Sequence, residues 1–348
     1  MKVSEKHAAL INPHAMRLIQ KCCKGRKHIR LTVGVEVDGE RSIAVFGESG
    51  QVDNENYIYE IGSIGKTITA TLLSSSIHEH KMSLDDSIQK YFDGLDAERY
   101  YPTLRRLATH TSGYSGRLPL TRRQFLKMYL DVVCGLNQGI LPLHVDLERM
   151  KAFVQNTRLQ DKDYKWAYSN FGFGLIGYAI GVVAGRSYQD TMDEFLVKEL
   201  GLNTTYVGIT DRNLHGFSRR NQDCGNWMWQ SDNLMGPAGA ISSTADDLLT
   251  YASLNMNEEL PYLSLCHQKH AHQSKKYDMG LGWFLHKENN KVMHHEGGTG
   301  AFGSFLALDK EKKVAVVVLA NYKLWITSES SIGLSILESL QRNHGYVI

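Results

Sequence analysis

The stretch Tyr57–Leu73, YIYEIGSIGKTITATLL, places Gly65-Lys66-Thr67 between a strand-like run and a helix-like run. Two chemistries compete for it. A phosphate-binding loop needs Gly-x-x-x-x-Gly-Lys-[Ser/Thr], because its backbone N–H groups must wrap around the phosphates. Counted back from Gly65, the first glycine belongs where Glu60 stands, and a carboxylate repels phosphate. The nearest glycine, Gly62, leaves the loop too short. The other reading is Ser-x-x-Lys, with Ser63 and Lys66 at the start of a helix. Residues three apart are neighbours on one helix face, so the amine can reach the hydroxyl. The free N–H groups of a helix start also face a developing negative charge. Ser-x-x-Lys recurs by chance, so it acquires meaning only with partners elsewhere in the chain.

Outward from this stretch the pattern changes twice. IRLTVGVEVDGERSIAVFGESG alternates with Val33, Val35 and Val37 on one face, and its Asp38-Gly39 pair predicts a hairpin turn. YIYEI is a short strand, and the helical pattern starts at Ser63. MSLDDSIQKYF predicts a further helix capped by Ser83. Up to about residue 200 the readable segments are helical: TRRQFLKMYLDVVCGL with a Thr121 cap, NFGFGLIGYAIGVVAG, and SYQDTMDEFLVKELGL. After about residue 236 strands return in GLGWFLHK, KVMHHEGG, AFGSFLALD and KVAVVVLANY, before a last helix in SSIGLSILESLQRNH. Strands at both chain ends predict an α/β fold, one antiparallel sheet flanked by helices. The expected organisation is a sheet domain of residues 1–80 plus 236–348 and a mostly helical lobe, 81–235, with the site between them.

Two further constellations could serve Ser63 and Lys66. Tyr168-Ser169-Asn170 stands before an apolar helix, where a serine or asparagine is also an ordinary N-cap. HHEGGTGAFGS carries His295-x-Gly297, then Gly298, Thr299 and Gly300; glycines in a strand mark a bend or a close approach. Together, in this order, these motifs resemble the serine β-lactamase and penicillin-binding protein superfamily. The match is to its class C-like branch, which includes D,D-peptidases, D-amino-acid peptidases and esterases. YEIGSIGKTITATLL, MSLDDSIQKYF, LRRLATHTSGYSG, GPAGAISSTADDLLTYA, MGLGWFL and HHEGGTGAFGS all look like that branch, over roughly residues 30–322.

The resemblance implies the two-lobe transpeptidase-like fold and a set of roles. Ser63 Oγ is the expected nucleophile, and a base must remove its proton. Lys66 and Tyr168 are the candidates, treated as one proton-relay unit, since each must fall from an ordinary pKa of about 10 to act as a base. Asn170 is expected to orient a substrate amide or carbonyl, with His295 and Gly297 on the substrate-binding strand. The oxyanion hole is expected at the backbone N–H groups of Ser63 and Gly298. No metal and no cofactor is implied. His295 departs from the lysine that β-lactamases carry, and a neutral imidazole holds a carboxylate less firmly. That moves the expectation toward an esterase or peptidase. Strand alternation turns Glu296 away from the face of His295.

Composition sets limits around this reading. At 348 residues and 42% hydrophobic, the chain can bury a sizeable core. Its formal charge of +2 gives no reason to expect nucleic acid or an anionic membrane as partner. No apolar run reaches the roughly 18 residues of a membrane span. The first residues lack a leader's apolar core, so the expected location is the cytoplasm. Cys22, Cys23, Cys134, Cys224 and Cys266 are odd in number and scattered, as reduced thiols are. Cys266, His267, His270 and His272 match no standard metal spacing and read as a polar surface loop. His78 and His80 do not share a helix face. His110 in THTSG is expected to be structural, and Trp166 and Tyr114 are either substrate contacts or lobe-packing aromatics.

The function expected from the sequence is a serine hydrolase forming an acyl-Ser63 intermediate on a small-molecule or short-peptide ester or amide. The alternative is a β-lactamase or a D,D- or D-amino peptidase of the penicillin-binding type. An acyltransferase differs only in the nucleophile that accepts the acyl group. A non-catalytic ligand-binding member would normally have lost Ser63 or Lys66, and this chain keeps both. The pattern carries no reading of oligomeric state.

Overall fold

The computed structural model describes residues 10–53, 55–114, 126, 144–208, 214–226, 229, 232–322 and 328–343. The Asp38-Gly39 pair forms the expected two-residue turn, with φ of 51° and 86°. It joins strand β1 (Leu31–Val37) to β2 (Glu40–Gly47) with Val37 opposite Glu40. Positive φ at both turn residues matches the right-handed twist of the strands, which is why this dipeptide selects a tight hairpin.

The next strands are β3 (Gly50–Val52), β4 (Tyr59–Glu60), β5 (Tyr206–Val207), β6 (Gly216–Phe217), β7 (Asp223–Gly225) and β8 (Ile241–Ser243). After them come β9 (Ala271–His272), β10 (Tyr277–Met279), β11 (Phe284–His286), β12 (Val292–Gly298), β13 (Gly303–Asp309) and β14 (Val314–Ala320). Nine of these make an antiparallel sheet in the order β3-β2-β1-β14-β13-β12-β11-β10-β9. Strands from both chain ends therefore meet at the β1–β14 pair, Val33 facing Val318. The YIYEI segment does not join this sheet; β4 pairs instead with β8, which also pairs with β5.

The helices are α1 (Pro13–Cys23), α2 (Gly65–His78), α3 (Leu104–Ala108), α4 (Leu147–Asn156) and α5 (Asn170–Ala184), then α6 (Tyr188–Lys198), α7 (Ala245–Asn257), α8 (Leu263–His267) and α9 (Ser328–Asn343). Every residue of β14 is buried, because helices cover both sheet faces. Val314, Val316, Val318 and Ala320 pack with Ala15 and Ile19 of α1 and with Ile332 and Ile336 of α9. Ala315, Val317 and Leu319 face the larger core that contains α2, α5 and α7. The unbroken run VAVVVLA is thus a strand buried on two sides. Among the described residues, no helix is long and apolar enough to cross a membrane.

Three local readings are corrected. MSLDDSIQKYF forms turns and a short 3₁₀ helix, Ile88–Tyr91, capped by Ser87 rather than Ser83. The Asp86 carboxylate accepts from the Ser83 N–H (2.8 Å) and the Tyr91 hydroxyl (2.6 Å). The Cys266–His272 segment is a surface loop only in part: Gln268, Lys269 and His272 are exposed, but Cys266 is buried, and His267 bonds Asn255 (2.9 Å) and Glu258 (2.9 Å). No group of described residues there or elsewhere could hold a metal ion. The helix expected from Thr121 lies outside the described residues, as does Cys134; the other four cysteines are free thiols.

Candidate active site

Ser63 sits in a single 3₁₀ turn, Gly62–Ile64, that runs directly into α2. The turn is pinned on two sides. The Ile61 N–H donates to the Ile241 carbonyl of β8 (3.0 Å), and Ser304 Oγ of β13 donates to the Ile61 carbonyl (2.7 Å). Behind it α2 is buried from Gly65 through Ser75. Its threonines would be costly there, but Thr67, Thr69 and Thr71 each donate back to a carbonyl of the preceding turn, at 2.8, 3.0 and 3.0 Å. A helix buried over its first eleven residues holds them rigidly, and Lys66 is one of them.

Lys66 Nζ lies 2.9 Å from Ser63 Oγ and 2.5 Å from the Ala238 carbonyl. The Ala238 carbonyl belongs to a second 3₁₀ turn, Gly236–Ala238. Lys66 has no exposed surface and, among the described residues, no carboxylate partner, so burial drives its pKa well below the ordinary lysine range. A neutral amine can accept a proton. Tyr168 is hydrogen-bonded to the Ser63 side chain, and its ring centroid is 4.9 Å from Lys66 Nζ. Burial, with the charge of Glu296 adding to it, raises Tyr168 despite the bond from Ser63, so the phenol keeps its proton. Ser169 caps α5 through the Gly172 N–H, which fixes its neighbours Tyr168 and Asn170 at the mouth of that helix. Asn170 is half-buried there.

Strand β12 passes the Ser63 turn at backbone contact. Gly62 has φ of +51°, and a Cβ on it would stand 2.6 Å from the Gly298 nitrogen. A Cβ on Gly297 would stand 2.0 Å from the Ile61 carbonyl oxygen and 2.9 Å from the Ser63 nitrogen. Only glycines allow this approach. The Gly62–Ser63 backbone and the Gly297–Gly298 backbone thereby meet without side chains between them.

His295 is 1% exposed, and its Nδ1 lies 2.7 Å from the Glu296 carbonyl oxygen. A carbonyl only accepts, so Nδ1 carries the proton and Nε2 presents a lone pair. Burial, aided by nearby Lys66, lowers its pKa to about 3, well below the value of a free imidazole. It is neutral throughout the physiological range. Glu296 is exposed and accepts from the Ser330 hydroxyl of α9, on the side away from His295.

His110, structural on the sequence reading, holds the Ser169 backbone and packs against Tyr168. Its Nδ1 accepts the Ser169 N–H (3.1 Å), and its ring centroid lies 4.6 Å from that of Tyr168. Burial, then Lys66, lowers its pKa to about 3. Trp166 is half-buried against His110 and Tyr168, at centroid distances of 5.9 and 6.4 Å. Tyr114 is buried among Phe153 and Phe171, which makes it a packing residue. An apolar cavity of about 470 Å³ lies elsewhere, along α5 from Gly177 to Gly185, and none of the expected site residues lines it.

Comparison with known proteins bears on the family and the fold. The β-lactamase family model matches residues 18–341. A β-lactamase of Pseudomonas fluorescens is 25% identical over 334 residues, covering 84% of this chain and 88% of its own. A solved class C β-lactamase superposes with a TM-score of 0.77 at 22% identity, over 97% of this chain and 98% of that one. A β-lactamase/D-alanine carboxypeptidase from Pseudomonas syringae gives 0.74 at 18% identity, over 96% and 99%. The fold is the expected α/β arrangement of an antiparallel sheet with helices, and the chain belongs to the β-lactamase family of serine hydrolases.

Proposed function

We propose that the protein hydrolyses small esters or amides through an acyl-Ser63 intermediate. The observation that carries this reading is the 2.9 Å contact between Ser63 Oγ and a fully buried Lys66 whose pKa burial lowers well below the ordinary lysine range. Lys66 takes the Ser63 proton as Oγ attacks the carbonyl carbon. The Ser63 and Gly298 N–H groups receive the developing oxyanion, and one such donor is worth about 3–4 kcal/mol. Asn170 orients the substrate. The carbon–leaving-group bond then breaks, and the proton passes from Lys66 by way of Tyr168 to the departing oxygen or nitrogen. Water attacks the acyl-enzyme in turn, giving its proton to the same relay. Ser63 regains its hydrogen and the carboxylate product leaves. The cycle uses side chains, backbone N–H groups and water.

A second reading, turnover of β-lactams or D-alanyl peptides, is favoured by the names of the relatives. Against it stands the neutral His295, which offers a carboxylate-bearing substrate no positive charge. Intact-protein mass spectrometry separates the readings. Incubation with a fluorophosphonate is expected to add one adduct to the wild type and none to Ser63→Ala. Labelling by benzylpenicillin faster than by any ester-like reagent would move the β-lactam reading to first place. No adduct with either reagent would sink the hydrolase proposal.

A further inference from the structure

We propose that the cavity along α5 is a second binding site, for an uncharged aromatic molecule, and that its occupant is felt at Lys66. The volume of about 470 Å³ falls within the roughly 300–1,000 Å³ of small-molecule sites. No residue assigned to acylation lines it. Its walls are aromatic and aliphatic: Tyr178, Tyr188 and Trp229 with Val207, Leu234 and Pro237. At its solvent edge stand Leu147 of α4 and Val182 of α5, 40% and 46% exposed. One such side chain in water is ordinary; two on different helices at one opening make an apolar surface that a ligand can cover. The charges at that edge argue against an ion. Asp232 pairs with His144 (3.0 Å), Arg186 with Glu194 (2.5 Å), and Asp146 accepts the Arg149 N–H (2.8 Å) as the cap of α4. All three are committed, so a charged ligand would give up water without gaining a partner. Tyrosine and tryptophan walls favour an aromatic guest, whose ring stacks on theirs or meets them edge to face.

The link to Lys66 is a single 3₁₀ turn. Gly236 and Pro237 line the cavity, and the next residue is Ala238, whose carbonyl accepts from Lys66 Nζ (2.5 Å). The Pro237 carbonyl accepts from Thr69 Oγ1 (2.9 Å), and Thr69 stands one turn beyond Lys66 on α2. Tyr188, a third wall residue, has its hydroxyl 2.7 Å from the same Oγ1. On the α5 side the turn has no slack, since a Cβ on Gly177 would stand 2.0 Å from Pro237 Cγ. The Ala238 and Pro237 bonds are already closed, so a guest that shifts this turn can only loosen them. Lys66 then loses its support beside Ser63, and acylation slows.

Two fluorescent probes with one ring skeleton test this: N-phenyl-1-naphthylamine, which is neutral, and 1-anilinonaphthalene-8-sulfonate, which adds a sulfonate. The neutral probe is expected to bind the wild type at least about tenfold more tightly, because a buried anion without a partner is penalised. Val182→Lys and Leu147→Glu sit at exposed helix positions where folding is little affected. Each should weaken the neutral probe by about tenfold, since each puts a charge at the apolar edge. That arm needs no turnover, so it stands whether or not the hydrolase reading does. Saturating neutral probe should also slow fluorophosphonate labelling of Ser63 by about fivefold, the low end of ordinary coupling between sites. At the same probe concentration the two variants should label at close to their probe-free rates. Equal affinity for both probes, or affinity untouched by either substitution, overturns the site. Loss of probe binding once Ser63 is labelled would put the probe in the catalytic cleft and overturn it as well. Binding that leaves the labelling rate unchanged overturns the link to Lys66.

Discussion

Replacing Lys66 by Met is expected to lower ester kcat/KM by about a thousandfold or more, the range that loss of a positioned general base gives. Lys66→Arg should not rescue it, because a guanidinium stays protonated and cannot accept the Ser63 proton. The same Met variant has a second signature that a merely structural lysine would not share. Burial depresses the pKa of Lys66 in the folded protein, while the unfolded chain returns it to about 10.4. Between those two values the unfolded state binds more protons than the folded one, so wild-type stability rises with pH across that window. The penalty for burying this amine is therefore present at neutral pH and disappears as pH approaches the unfolded value. Lys66→Met lacks it. The stability of the variant minus that of the wild type should fall as pH rises toward the unfolded lysine's value in urea unfolding, all other groups being common to both. A flat difference would show that Lys66 is not held with a depressed pKa. Activity surviving in Lys66→Met would remove it from the relay.

Which parts of this site are legible in the sequence follows from how far apart the interacting residues stand. Ser63 and Lys66 are legible because their contact is local, one turn of a helix apart. The β1–β2 hairpin is legible because Asp38-Gly39 encodes its own backbone angles. β14 announces itself as an apolar run, although the run alone does not say that helices cover both faces. His110 is hidden for the opposite reason. THTSG has no periodicity, and the Ser169 N–H that fixes the imidazole is 59 residues away. The carbonyl that holds Lys66 belongs to Ala238, and a main-chain group leaves no trace in a residue's identity. In the Cys266–His272 segment, polar residues suggest solvent, but Glu258 and Asn255 reach the His267 ring and allow its burial. In MSLDDSIQKYF a helix-like composition yields to turns closed by local hydrogen bonds, Asp86 bonding the Ser83 N–H and the Tyr91 hydroxyl. Local chemistry wins where it can close a hydrogen bond within a few residues.

Neighbouring glycines on β12 should behave very differently, and that contrast tests the backbone half of the site. In Gly297→Ala the new methyl group would lie 2.0 Å from the Ile61 carbonyl oxygen, 2.4 Å from Ser304 Oγ and 2.9 Å from the Ser63 nitrogen. The Ile61 oxygen cannot yield easily, because the Ser304 hydroxyl bonds it and the Ile61 N–H is tied to β8. Strand and turn must therefore separate. Overpacking of this kind costs about 1–3 kcal/mol, and displacing an oxyanion donor costs about 10²–10³ in rate. Ester turnover and the rate of fluorophosphonate labelling should fall together by at least about a hundredfold, because both need the same donors. In Gly298→Ala the nearest atom to the added carbon is the Phe302 carbonyl oxygen at 3.6 Å, an ordinary contact. That variant keeps its N–H, should unfold within about 0.5 kcal/mol of the wild type, and should lose less than about tenfold in turnover. If Gly297→Ala unfolds at the wild-type denaturant midpoint and labels at the wild-type rate, β12 does not hold the Ser63 turn as the structure places it. If instead the two variants lose activity equally, the cost lies in the strand's flexibility and not in the space between Gly297 and Ser63.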